Sequence, residues 1–436
     1  MASLPKQSLV WVIGNDTAHV VLVPMGTEEL SREVAALRCG LDAAAWEIKG
    51  TMSCRQLLGI SRKAAGPLPF DLSRAHALYG ALFSPLKDLI EGKHLLIAAV
   101  GPLATLPFSV LVTERPAAAI PDAANRYAEA AWLSKRHAVT TLPSVASLAS
   151  LRLATKTSLA QKPFIGFGNP LLSGRNGADR SAWDKESCPK NVAGGSVRVA
   201  GPSLPDGLAK LFRGKLADAQ ALRRQSPLPE TADELCAVAG ELSAQERDVN
   251  LGSRATESAV KALNEKGALA TYKIVHFATH GLLAGETESV GAGAEPSLLL
   301  TPPNVATGAD DGLLTASEVA QLKLDADWVV LSACNTAGAE KGGAEALSGL
   351  ARAFFYAGAR ALLVSHWYVD SDAAVKLVTQ AFSKLRRNPA IGRAEAMRRA
   401  MLAVMNDTSR PTRWTPAAHP SVWAPFVVVG EGGAGR

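Results

Sequence analysis

At 436 residues the chain is too long for one ordinary hydrophobic core, and at least two domains are expected. Its 47% hydrophobic and 20% charged residues exclude a disordered chain. No apolar run approaches the roughly 18 residues a membrane-spanning helix needs. The net charge of +6 is too modest to demand a polyanionic partner.

The first apolar stretch, "LVWVIGNDTAHVVLVPMG", is interrupted by Asn15 and Asp16 and lacks a small-residue cleavage site, so it predicts a β-hairpin and not a signal peptide. A cytoplasmic location is the default that follows. "TEELSREVAALRCGL" places Leu30, Val34, Leu37 and Leu41 at helical spacing, with Thr27 as the expected cap. "SRKAAGPLPF" predicts a loop, residues 73–90 a helix, and "HLLIAAV" at 94–100 a strand.

Near Lys162 the pattern changes. "PFIGFGNP", "RDVNLG", "YKIVHFATHG", "DWVVLSACNT", "RALLVSHWYV" and "WAPFVVVG" are short, largely apolar strands separated by helical segments at 230–244, 256–265, 345–357 and 371–387. Such alternation predicts a mostly parallel sheet with helices on both faces. Residues 171–228 and the acidic stretch 284–311 fit neither pattern and predict functional rims or disordered inserts.

The five cysteines, Cys39, Cys54, Cys188, Cys236 and Cys334, are odd in number and contain no CxxC pair, which disfavours a disulfide framework and a zinc cage. No metal or cofactor is expected. Much of the basic excess sits in residues 376–413, where Lys384, Arg386, Arg387, Arg393, Arg398 and Arg399 meet few acids. No aromatic residues alternate with those charges as stacking platforms, so a solvated helix face is favoured over a nucleic-acid surface.

In open α/β sheets, reacting groups gather at the carboxyl ends of strands. His280 ends one predicted strand, just before Gly281, and Cys334 ends another. If these strands are parallel neighbours, imidazole and thiol stand about one inter-strand spacing apart, roughly 4.8 Å. His280 can then take the thiol proton and return it to a leaving amine. The N–H groups of Gly281 and Cys334 are the expected oxyanion donors. A second reading stands beside this one: a cysteine after an apolar strand is an inert core thiol, and a strand-end histidine is structural. His276, four residues earlier on the same face, is expected to be deep and structural. His280 precedes Cys334 by the roughly 50 residues seen in caspases, whereas papain-type enzymes place cysteine first.

"HFATHG" (276–281), "DGLLTASEVAQLKLDADWVVLSACNTAG" (311–338), "LARAFFYAGARALLVSHWYVD" (350–370) and "HPSVWAPFVVVG" (419–430) closely resemble the CHAT domain. This is the caspase-like peptidase domain often appended to tetratricopeptide arrays. The resemblance extends through "LPSVASL" and "GPLATLPFSVL" to the opening hairpin. It implies a caspase-like sandwich and a cysteine endopeptidase with His280 as base and acid, Cys334 as nucleophile, and Gly281 with Cys334 in the oxyanion hole. By similarity to separase-like relatives, residues 1–160 form a pseudo-protease half and 161–436 the catalytic half. The family context implies a protein substrate and a regulated, bacterial-type defence or cell-death pathway. The alternative is a catalytically silent scaffold that binds a protein.

Two features depart from the pattern. Metacaspases carry an acidic residue two before the cysteine, where this chain has Ser332, so specificity is not inherited. The tetratricopeptide array is absent from the sequence, which leaves a fragment, a stand-alone form, or a separate tetratricopeptide-containing partner. Among candidate substrate-binding residues, Asp370 and Asp372 can accept a Lys or Arg side chain, or cap the helix that follows. Trp367 either walls that pocket or packs in the core.

Overall fold

The computed structural model describes residues 1–14, 16–46, 53–60, 67–154, 158–189, 212–213, 216–282, 295–332, 349–367, 371–407 and 416–433. The chain forms two compact units. Among the described residues, one comprises those within 1–150 and 376–436, the other those within 151–341 and 347–375.

The strands that matter here run in chain order as follows: β1 (Ser8–Ile13), β2 (Ala18–Val23), β3 (Leu95–Ile97), β4 (Val139–Thr141), β5 (Ile165–Gly168), β6 (Val249–Leu251) and β7 (Ile274–Ala278). After them come β8 (Gly281–Leu282), β9 (Ser297–Leu299), β10 (Leu313–Thr315), β11 (Trp328–Ser332), β12 (Ala361–Ser365) and β13 (Phe426–Gly430). The principal helices are α1 (Thr27–Cys39), α2 (Leu72–Leu82), α3 (Glu230–Glu241), α4 (Glu257–Glu265), α5 (Gly349–Tyr356), α6 (Ser371–Arg387) and α7 (Arg393–Met405).

In the first unit β1 and β2 pair antiparallel, with Trp11 opposite Val20, as the hairpin pattern predicted. Thr27 is not the cap of α1. The N-cap is Gly26, and the Thr27 hydroxyl instead donates to the carbonyl of Leu4 at 3.1 Å. The expected helix over 73–90 stops at Leu82, and Ser84–Leu86 form a 3-10 turn before a last short helix. Pro85 explains the break, because its ring cannot continue an α-helical hydrogen-bond ladder. Strand β4 lies between β3 and β13, parallel to both.

The second unit carries five parallel strands in the order β12-β11-β7-β5-β6. Helices cover both faces of this sheet. On one face Phe167 stacks on Phe277 at 5.3 Å, and Phe277 meets Phe354 of α5 at 5.6 Å. On the other, α3 comes so close that a Cβ on Gly168 would stand 2.7 Å from both the Ala278 carbonyl oxygen and the Leu235 Cδ1. The glycines of "IGFG" are the reason α3 can pack there. A small antiparallel ribbon, β8-β9-β10, follows β7. The α/β class with mostly parallel strands, expected from the sequence, is the class observed.

The cysteine expectation is corrected. Cys39 pairs with Cys54 and Cys188 with Cys236, each with Cα atoms 5.6 Å apart. Disulfide partners are chosen by approach in space, and no spacing rule in the chain marks these two pairs. The two bonds use every cysteine except Cys334. Among the described residues, no helix is long and apolar enough to cross a membrane.

Candidate active site

Strands β7 and β11 are direct parallel neighbours. Their register sets Ile274 opposite Trp328, His276 opposite Val330 and Ala278 opposite Ser332. His280 and Cys334 each follow this last pair by two residues. His280 is described; Cys334 lies outside the described residues, as do Asp370 and the "SRKAAG" start of the predicted 61–70 loop.

His280 sits between β7 and β8, and three contacts hold it there. The Leu299 N–H donates to its carbonyl at 2.9 Å. The hydroxyl of the preceding Thr279 donates to the Leu299 carbonyl. Its Nε2 lies 2.8 Å from the carbonyl oxygen of Ser226. A carbonyl only accepts, so Nε2 carries the ring proton and Nδ1 is left bare in the neutral imidazole. Desolvation lowers the His280 pKa from its ordinary value, and the Ser226 carbonyl works against that by favouring the charged form. The net result is a neutral ring of fixed tautomer, which is the state a general base needs.

Gly281 opens β8 opposite Leu298. Because the Leu299 N–H bonds to the His280 carbonyl, the 280/299 pair is hydrogen-bonded and the 281/298 pair is not. The Gly281 N–H therefore turns away from β9 and is not used by the ribbon.

Ser332 ends β11, half-buried, and its hydroxyl donates to Glu234 Oε2 at 3.1 Å. Oε1 of the same Glu234 lies 3.0 Å from Nε2 of His276, though off the line of a good hydrogen bond. His276 is wholly buried, its ring edge-on to Phe164. Trp367 is 2% exposed and so belongs to the interior. Asp372 is exposed in the first turn of α6, where a negative charge suits the helix dipole.

Two residues had no signal in the sequence. Ser226 acts through its backbone carbonyl, which any residue type can supply. Glu234 lies on a helix 98 residues before Ser332, and nothing local marks it. The described acids of the 284–311 stretch are engaged with backbone: Glu295 accepts from the Ser317 N–H at 2.7 Å and Asp310 from Ser258 at 3.3 Å. Asp311 accepts from Ala217 at 2.9 Å.

In the described part of the basic 376–413 segment, residues 376–407, several cations are ion-paired. Glu395 binds both Arg398, at 2.6 Å, and Arg399, at 2.7 Å, while Lys376 meets Asp407 at 2.7 Å. These pairs fit a solvated helix surface better than a polyanion-binding one.

Fold and strand register define an α/β protein built on a mostly parallel sheet. The CHAT domain sequence profile matches residues 72–431, and the chain belongs to the CHAT domain family. It is similar to tetratricopeptide repeat protein 28 of Mus musculus, 30% identical over an alignment of 229 residues, with 47% of this chain and 9% of that protein covered. The Homo sapiens protein of the same name is 28% identical over 229 residues, covering 47% of this chain and 8% of its own length. The chain thus spans less than a tenth of the curated relatives it matches. Among solved structures it is similar to a chain of the Saccharomyces cerevisiae separase–securin complex, with a TM-score of 0.32 and 12% identity over 67% of this chain and 14% of that one. That likeness is too slight to carry an argument.

Proposed function

We propose that the chain is a cysteine endopeptidase that cleaves a protein substrate with a His280–Cys334 dyad. One observation carries the reading: β7 and β11 pair in parallel with Ala278 opposite Ser332, so base and nucleophile follow at equal offsets from one strand pair. The bare Nδ1 of His280 takes the Cys334 proton, and the thiolate sulfur attacks the scissile carbonyl carbon. The N–H groups of Gly281 and Cys334 receive the oxyanion, each such donor being worth about 3–4 kcal/mol. Collapse expels the amine, which leaves with the proton from His280. Water, deprotonated by the same ring, then hydrolyses the thioester. The disulfide pattern supports this assignment, because it leaves Cys334 as the one cysteine with no partner cysteine in the chain.

Residues 161–436 are the catalytic half in this reading, and residues 1–160 a pseudo-protease half. The relatives' name motivates a tetratricopeptide-containing partner. The defence or cell-death context rests on the family resemblance alone. A cytoplasmic site is the default, but two disulfides favour an oxidising compartment. Asp372 stays a candidate reader of a basic side chain, together with Asp370 and Ser332.

The test is cleavage of a mixed peptide library by the purified chain, beside Cys334→Ala and His280→Ala, with product termini read by mass spectrometry. Cleavage abolished by both substitutions establishes the dyad. Cleavage that survives either one rules it out. If the wild-type chain cuts nothing, failure of an electrophilic peptide to label Cys334 identifies a silent scaffold.

A further inference from the structure

Glu234 stands where a packing role alone would place an apolar residue. It projects from α3 onto the face of the sheet lined by Gly166, Gly168 and Ala278, and it is 2% exposed. Burying a carboxyl group costs free energy unless polar partners compensate, and an aliphatic side chain would pack there without that cost. Its two oxygens address two different strands, Ser332 on β11 and His276 on β7. Ser332 is two residues before Cys334, and His276 is four before His280. The carboxyl group therefore meets both strands only two and four residues along the chain before the members of the proposed dyad.

We propose that Glu234 is a positioning residue: with one carboxyl oxygen bonded to Ser332 and the other packed 3.0 Å from His276 Nε2, it fixes the offset between the two strand ends from which Cys334 and His280 act. The inference rests on the peptidase reading. The glycines of "IGFG" belong to the same device, since they let α3 come close enough for Glu234 to reach both strands. The neighbouring Asp233 on α3 is separately engaged, paired with Lys185.

The experiment needs no substrate. Iodoacetamide alkylates Cys334 alone while both disulfides are intact, and its rate is followed against pH. A thiol served by a base reacts with a midpoint well below the roughly 8.5 of a free thiol. His280→Ala is expected to raise the midpoint to that value. Glu234→Ala is expected to raise it by about one pH unit, Ser332→Ala by less, and Glu234→Gln, which keeps an acceptor for Ser332, by little. The sign is diagnostic, because deleting a nearby negative charge without loss of alignment lowers a thiol midpoint. Val238→Ala, a truncation elsewhere on α3, reports the effect of loosening the helix alone and is expected to leave the midpoint unchanged.

A low wild-type midpoint that His280→Ala abolishes and Glu234→Ala leaves unmoved, or lowers, overturns the positioning role while the dyad stands. The same holds if Val238→Ala raises it as far as Glu234→Ala. A wild-type midpoint already in the free-thiol range overturns the dyad, and the inference with it. Should Glu234→Ala not fold, Ser332→Ala decides by the same criterion.

Discussion

The Nε2 of His280 lies 2.8 Å from the carbonyl oxygen of Ser226, a residue 54 positions earlier in the chain. That contact sets the tautomer and directs the bare Nδ1 away from Ser226. With burial lowering its pKa, the ring stays neutral to a lower pH than an ordinary histidine. The acid limb of kcat/KM is therefore expected below the ordinary value of 6.5. His280→Ala is expected to remove roughly two to four orders of magnitude from kcat. A pH–rate profile in which activity is lost above 6.5 on acidification contradicts this account.

The thiol inventory is a direct check on the disulfides. Titration of the denatured, unreduced protein is expected to find one reactive thiol per chain, at Cys334, and five after reduction. Five thiols before reduction would return the protein to the reducing compartment first expected for it.

His419 makes the first unit sensitive to acid. Its ring is wholly buried, with Nε2 2.8 Å from the Leu68 carbonyl and an edge-on contact to Tyr127. Burial pushes its pKa down to about 4. The unfolded chain, with an ordinary histidine near 6.5, binds the extra proton between those limits. This contribution is fully present above pH 6.5 and is lost as pH falls toward 4, about 3 kcal/mol in all. Urea titrations at a series of pH values should show that slope, and His419→Gln should flatten it while lowering stability at neutral pH.

Two glycines of β5 differ in what surrounds them, and their substitution costs should differ accordingly. An added Cβ at Gly168 meets the backbone oxygen of Ala278 at 2.7 Å, whereas at Gly166 its neighbours, at 2.9 Å, are the side chains of Leu235 and Phe164. Side chains can turn aside and backbone cannot. Both substitutions by alanine should destabilise by about 1–3 kcal/mol in denaturant melts, Gly168→Ala more than Gly166→Ala. The reverse order would mean that α3, and not the sheet, gives way.

The identity of strands and helices was legible in the chain because each depends on local periodicity. "YKIVHFATHG" and "DWVVLSACNT" are apolar runs that end in polar or small residues, and β7 and β11 formed within them. The lengths were less legible, as in the helix that Pro85 divides. His280 and Cys334 could be named as candidates because a base and a thiol are rare side chains at the ends of predicted strands. What the sequence could not show are relations between distant positions. Glu234 reaches Ser332 across 98 residues, Cys188 reaches Cys236 across 48, and Ser226 contributes only a carbonyl. No local pattern encodes such pairs, because the free energy of a hydrogen bond or disulfide depends on the distance the finished fold leaves between its partners.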